Sequence, residues 1–297
     1  MHVHVIVIAL ALTLLSACTE PPAPTPATRS SSRIISLAPS ITETLFALGA
    51  GDRVVGVTRY CDHPPAARAL PKVGGYYDPN YEAILSLRPD LVIRLPEHAA
   101  AARYLSRLDV EVLEVEHRTV EGVLSSIQTV ARRLGVEGRG RILEQQIRGE
   151  LERIAARVAG RLRPRVMISI GRTYGTGTIR EVYIAGRDDY YERLVELAGG
   201  RLAFESEGAR FPKISVEGLL RIDPEVVIEI APDLARKGTT REQILAEWRT
   251  LTELRAAREG RIHVLSGDHT SIPGPRLPLV LLDLARVLHP ELDWSTP

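Results

Sequence analysis

From Arg33 onward, short runs rich in β-branched residues alternate with stretches of helical periodicity. The pattern predicts strands at Arg33–Ala38, Val54–Val57, Asp90–Arg94 and Glu111–Val115. A second set is predicted at Arg165–Ile170, Val182–Ala185, Glu225–Ile230 and Arg261–Leu265. Helical stretches fall between them, which argues for βα units and mainly parallel sheets. Between the two sets lies Glu137–Arg161, whose apolar positions Ile142, Ile147, Leu151, Ile154 and Val158 recur as they should on a long amphipathic helix. The expected fold class is therefore α/β, with two Rossmann-like lobes bridged by one long rigid helix. The boundaries expected are 33–136 for the N-terminal lobe, 137–162 for the helix and 163–297 for the C-terminal lobe.

An internal repeat supports the two-lobe reading. The stretch Asn80–Ile93 (NYEAILSLRPDLVI) is similar to Val216–Ile228 (VEGLLRIDPEVVI) when Glu82 is aligned on Glu217. Both run as a short apolar helix, then Pro, an acid and an apolar strand. Asp78 before Pro79, and Ser215, are suitable N-caps. The lobes read as distant copies of one plan.

Residues 5–15, VIVIALALTLL, form an apolar run too short to cross about 30 Å of hydrocarbon, for which roughly 20 helical residues are needed. The run fits the h-region of a secretory signal. It ends in Leu15-Ser16-Ala17-Cys18, similar to a bacterial lipobox, although Met1–His4 carries no Lys or Arg. A signal peptide over 1–17, a lipidated Cys18 and a Pro/Ser-rich tether over 18–32 are expected. The protein is then an exported lipoprotein of the periplasm or cell surface, touching the membrane only through its anchor.

Composition narrows the function. Lys plus Arg number 38 against 37 acidic residues, so the basic excess of a nucleic-acid binder is missing. Two cysteines in 297 residues, Cys18 and Cys61, build neither a disulfide scaffold nor a Cys-rich metal site. The chain has no phosphate-binding P-loop, HExxH, GxSxG or CxxC motif. Gly49-Ala50-Gly51 reads as a helix C-cap, and Ser40-Ile-Thr-Glu43 as a capping box. No nucleophile with its acid–base partners emerges, so the chain is read as a non-enzyme.

Tyrosines are more informative, because eight of the nine fall into two windows: Tyr60, Tyr76, Tyr77 and Tyr81, then Tyr174, Tyr183, Tyr190 and Tyr191. Each window belongs to one lobe, in loops or just after strands, where open α/β sheets bind ligands. Tyr60, Tyr76 and Tyr174 are the leading cleft candidates, with Tyr77 beside them. Tyr190 and Tyr191 begin a helix and are read as packing. The histidines are scattered with no pair at ligand spacing; His269, in a loop after a strand, is a candidate ligand to a metal carried by a cargo molecule. Arg172, Arg210 and Arg276 suit an anionic iron chelate.

These residues carry a family resemblance. RIISLAPSITETLFALGAGDRVVGVTRYCDHPP (Arg33–Pro65) resembles the opening of the periplasmic iron-siderophore and cobalamin binding proteins. The likeness continues through LPKVGGYYDPNYEAILSLRPDLVI (Leu70–Ile93) and resumes at Phe211–Ile230 and Asp268–Arg276. It implies a class III periplasmic binding protein architecture, with cargo held between the lobes and passed to the permease dimer and ATPase of an ABC importer. Tyr60 matches a ligand-contacting tyrosine of the cobalamin-binding members, and Tyr76 falls where they carry an aromatic. Asp268, His269, Thr270, Ser271 and Ile272 match a loop lying against the corrin, with His269 and Thr270 replacing its aromatics. Glu82 and Glu217 match two carboxylates, one per lobe, that dock onto permease arginines. Ala198 stands where one such binder has a cysteine.

The expected function is thus a substrate-binding lipoprotein that captures a corrinoid such as cobalamin, works as a monomer and has no cofactor of its own. A ferric siderophore or haem is the alternative cargo. An exported enzyme and a ligand sensor are the alternatives from other classes.

Overall fold

The computed structural model describes residues 32–100, 105, 110–205 and 209–295. The expectations for the signal, Cys18 and nearly all of the tether lie outside the described residues. Two sheets organise the chain. The N-lobe sheet has the order β2-β1-β3-β4, from β1 (Ile34–Ser36), β2 (Val54–Val57), β3 (Leu91–Arg94) and β4 (Glu111–Glu114). All its pairings are parallel. β1 and β3 are buried along their whole length, as parallel strands covered on both faces should be.

The C-lobe sheet runs β10-β9-β5-β6-β8, built from β5 (Arg165–Gly171), β6 (Glu181–Ile184), β8 (Lys213–Ser215), β9 (Val226–Ile230) and β10 (Ile262–Leu265). The two-residue β7 (Arg201–Leu202) pairs with β5 off this path. β5, β9 and β10 are parallel, whereas β6 is antiparallel to both of its neighbours, β5 and β8, so this sheet is mixed. Each strand expected from the sequence is present within two residues of its expected ends; β7 and β8 are additions too short to show periodicity.

Among the helices, α1 (Pro39–Ala47) and α2 (Tyr81–Ser86) belong to the N lobe. The pair α3 (Val120–Leu134) and α4 (Glu137–Val158) is separated by Gly135 in the left-handed conformation, φ 69°. α5 (Tyr190–Leu197), α6 (Val216–Ile222), α7 (Arg241–Arg249), α8 (Arg255–Arg258) and α9 (Leu277–Leu288) belong to the C lobe. The linking helix α4 spans 22 residues and buries Gly140, Ile147, Leu151 and Val158. Ile142, expected in its apolar stripe, is 57% exposed instead.

One hydrophobic core runs unbroken from the N lobe (Ile34, Ile41, Leu91), along α3 and α4 (Ile127, Ile147, Leu151), into the C lobe (Val166, Leu194, Leu281). Separate clusters fill the far faces of the two sheets, around Ile35 and Val92 in one lobe and Trp248 and Val227 in the other. A shared core on one side joins the lobes along the linking helix.

Candidate functional site

The loops at the C-terminal ends of the parallel strands converge on a cleft of about 740 Å³ between the lobes. This is where open α/β sheets place ligands, because each strand delivers the chain there before it turns away into a helix. Pro39 and Ser40 follow β1, Tyr60 and Asp62 follow β2, and Leu95 and Glu97 follow β3. Across the cleft, Pro232, Asp233 and Arg236 follow β9, while Asp268, Ser271, Ile272 and Pro273 follow β10. Arg68, Tyr76, Tyr77, Tyr190, Arg210 and Phe211 complete the wall.

Seven residues expected from the sequence therefore meet in one cleft: Tyr60, Tyr76, Tyr77, Arg210, Asp268, Ser271 and Ile272. Tyr77 is 82% exposed and meets Tyr76 edge-on at 4.7 Å between centroids; Tyr76 in turn meets the buried His98 ring at 4.8 Å. Burial raises the Tyr76 phenol above its ordinary range, so it stays neutral at physiological pH. The Arg276 guanidinium holds the Asp268 carboxyl below its usual range, chiefly by hydrogen bonding.

Five expected residues, Arg172, Tyr174, His269, Thr270 and Arg276, do not line the cleft, and Arg276 is instead taken up by Glu43 and Asp268. Arg172 sits inside the C lobe with a side chain 1% exposed, paired with Glu229 at 3.3 Å and with Glu247. Its guanidinium lies over the rings of Tyr174 and Trp248, at 4.7 and 5.8 Å. The Tyr174 hydroxyl donates to Glu229 Oε1 at 2.8 Å and accepts from Lys237 Nζ at 3.3 Å. The reason is packing: the segment after β5 runs beneath α7, which supplies Glu247 and Trp248, and the Gly177 amide donates to Glu247. The His269 ring is bonded through Nε2 to Asp283 on α9, at 2.8 Å, and does not line the cleft. Thr270 is fully buried, donating to the Gly267 carbonyl and accepting at its own carbonyl from the Tyr191 hydroxyl.

Two local expectations also change. The residue capping α1 is Ala38, without a side-chain bond, so Ser40 and Glu43 form no capping box. Ser40 Oγ instead meets His117 Nδ1 at 2.7 Å, and Glu43 takes a fork from Arg276. Asp78 pairs with Arg59 at 2.6 Å, and Asn80 caps α2 in its place. Cys61 is fully buried between the hydroxyls of Thr42 and Thr58, both at 3.2 Å, and burial raises its thiol pKa.

Sequence reasoning missed Asp62, Arg68, Glu97, Asp233, Arg236 and Phe211; Tyr190, read as packing, is buried in the core as expected and also borders the cleft. Strand ends were the available signal for three of them, since Asp62, Glu97 and Asp233 each lie within five residues of a β-strand terminus. Their charges matter: four carboxylates (Asp62, Glu97, Asp233, Asp268) and three guanidiniums (Arg68, Arg210, Arg236) line the cleft, leaving one negative charge in excess. Among the described residues, no group of three or more His, Cys, Asp or Glu could hold a metal ion. No described helix is long and apolar enough to cross a membrane.

Two α/β lobes around one cleft, joined by a single long helix, define a two-lobed solute-binding protein. The chain belongs to the periplasmic binding protein family, whose model matches residues 34–268. It is 26% identical over 246 residues to the vitamin B12-binding protein of Vibrio parahaemolyticus, covering 82% of this chain and 84% of that one. Among solved structures it is similar to the periplasmic heme-binding protein BhuT in complex with two hemes, at 31% identity and TM-score 0.76, covering 88% of this chain and 99% of that one. A periplasmic heme-binding protein from Pseudomonas aeruginosa is 30% identical, with TM-score 0.77 and 90% and 96% coverage. The vitamin B12 binding protein BtuF of Vibrio cholerae shares the fold at 24% identity and TM-score 0.73, over 87% of this chain and 97% of that one.

Proposed function

We propose that this protein is the substrate-binding lipoprotein of an ABC importer, anchored through Cys18, that captures a corrinoid such as cobalamin between its lobes. It delivers the cargo to the permease and performs no chemistry on it. The observation that carries this reading is the cleft wall itself. Flat phenol faces (Tyr60, Tyr76, Tyr77) and Phe211 alternate with carboxylates and guanidiniums in nearly equal number. Aromatic faces suit a large macrocycle. A balanced set of donors and acceptors suits a rim of neutral amides better than one of carboxylates, and the vitamin B12-binding relatives support that choice. Glu82 and Glu217, both exposed and each the second residue of a short capped helix, are the proposed permease contacts.

Haem is the second reading, favoured by Arg68, Arg210 and Arg236 in the cleft and by the likeness to two heme-binding proteins. Calorimetric titration of the purified chain with cobalamin, and separately with haemin, tests both. Saturable 1:1 binding of cobalamin is expected. Saturable haemin binding with no cobalamin heat would overturn the corrinoid reading in favour of haem.

A further inference from the structure

Arg210 and Arg236 share an arrangement that neither sequence motifs nor family membership requires. Each is a C-lobe residue that spends its Nε edge on a carboxylate of its own lobe and offers an Nη nitrogen across the cleft to a carboxylate of the N lobe. Arg210 Nε bonds Asp189 Oδ2 at 2.7 Å, and its Nη1 reaches Glu97 Oε1 at 3.2 Å. Arg236 Nε bonds Asp233 Oδ2 at 2.6 Å, and its Nη2 lies 3.9 Å from Asp62 Oδ2. The own-lobe partners orient the two forks. Asp189 is fully buried and fixed by the Tyr191 amide at 3.1 Å, while Asp233 sits three residues before Arg236 on the same turn.

The N-lobe partners stand on turns held from behind. Glu97 lies in the turn Pro96–His98, anchored by the buried His98 ring against Tyr76. Asp62 follows Cys61, which is locked between Thr42 and Thr58. Both arginines also lie near cleft aromatics: Arg210 is 4.7 Å from the Phe211 centroid and Arg236 is 5.8 Å from that of Tyr60. Arg210 and Arg236 thus flank the cleft's aromatic surface, where the rim of a flat ligand would fall, and the outward edge of each faces an N-lobe acid, while the third guanidinium, Arg68, donates to the Asp62 carbonyl at 3.0 Å.

We propose that Asp62 and Glu97 are the charge filter of this cleft: they occupy the cross-cleft edges of Arg236 and Arg210 and so disfavour planar macrocycles with carboxylate rims, while admitting macrocycles with amide rims. This inference rests on the reading of the cleft as a macrocycle site. A carboxylate entering beside Arg210 must displace Glu97 and then sit near it, and like charges brought together oppose binding by a margin that salt screens. A neutral amide meets no such penalty, because its N–H can donate to Glu97 while its oxygen accepts from Arg210 Nη1. Removing both N-lobe charges turns the lining from one negative charge in excess to one positive in excess.

The test is the double variant Asp62→Asn, Glu97→Gln in the full chain, compared with the unaltered protein for haemin, a dicarboxylate macrocycle, and for cobalamin. Haemin affinity is expected to rise at least tenfold, with the gain shrinking as sodium chloride is raised from 50 to 500 mM. The ratio of haemin to cobalamin affinity is expected to rise at least tenfold, and an unaltered thermal midpoint shows that the isosteric changes leave the fold intact. An unchanged or weakened haemin affinity in a variant with an unaltered thermal midpoint overturns the filter. Failure of the corrinoid reading looks different, because it is seen in the unaltered protein as an absence of cobalamin binding. The filter is then still judged by the change in haemin affinity between the two proteins.

Discussion

Arg276 of the C lobe grips Glu43 of the N lobe by a two-bond fork, Nε to Oε2 at 2.9 Å and Nη2 to Oε1 at 2.5 Å, with 15% and 3% of the side chains exposed. The same guanidinium bonds Asp268 at 2.8 and 3.1 Å, so one cation ties the N lobe's first helix to the cleft loop after β10. Truncating one member of a buried pair leaves the other charge without a partner. Arg276→Ala is therefore expected to destabilise the protein by about 3–5 kcal/mol in urea unfolding at pH 7.

The deficit has a definite pH dependence. Burial already raises the Glu43 pKa above its ordinary value, against the opposing pull of Arg276. Without Arg276 the rise is larger, so the folded variant binds its proton more readily than the unfolded chain does. The stability gap between Arg276→Ala and the unaltered protein should narrow as pH falls from 7 toward 4. A gap constant across that range would show that the carboxylate is not the origin of the loss.

His117 supplies an acid sensor of stability. Its ring lies between Ser40 Oγ and Ser126 Oγ, both at 2.7 Å, and Ser126 Oγ itself donates to the Val123 carbonyl. That chain requires Nε2–H to donate to Ser126 and bare Nδ1 to accept from Ser40. Burial pushes the imidazole down to about 3. Because the folded pKa lies below the unfolded one, stability is full at neutral pH and is lost as pH falls below about 6.5, by up to about 1.4 kcal/mol per unit. His117→Gln keeps a donor and an acceptor but removes the titration. Its unfolding free energy should vary less steeply between pH 6 and 4, and an unchanged slope would exclude His117 as the source.

How far the sequence carried the site is clearest from Tyr60 and Tyr174, which it treated alike. Strand–helix alternation located the lobes and the linking helix, because each strand expected from that pattern appears with nearly its expected ends. Proximity to a strand end is a local property, and Tyr60 satisfies it in both sequence and structure. Which strand ends open onto the cleft is a matter of tertiary packing, and nothing local says that the segment after β5 is roofed by α7. The Arg172 side chain is therefore buried and Tyr174 half-buried away from the cleft, although their neighbourhood reads like a binding loop. The fork from Arg276 to Glu43 spans 233 positions and leaves no local trace; the helix start that holds Glu43 looked like a capping box.

The two tyrosines give a paired prediction. Tyr60 is 41% exposed on the cleft wall, so Tyr60→Ala should leave the thermal midpoint nearly unchanged while weakening cargo binding tenfold or more. Tyr174→Phe should do the reverse. It deletes a hydroxyl bonded to the buried Glu229, a charge-assisted contact worth about 1.5–3 kcal/mol, without touching the cleft. Calorimetric affinity and urea midpoint on both variants check the assignment, and a loss of affinity in Tyr174→Phe would contradict it.

The repeat-related acids yield the last prediction. Glu82 follows the Asn80 cap of α2, and Glu217 follows the Ser215 cap of α6, where Arg221 shares its charge at 3.1 Å. Both are exposed, so neither is needed for folding, and a negative charge in the first turn of a helix contributes only a few tenths of a kcal/mol to about 1 kcal/mol. A two-fold permease surface bearing arginines would recognise the pair together, one acid per lobe. Glu82→Arg with Glu217→Arg should leave cargo affinity within about twofold and abolish uptake in cells, because like charges would then face each other at both contacts. Either single change should reduce uptake less than the pair does, and transport that survives the double reversal would remove these residues from the docking surface.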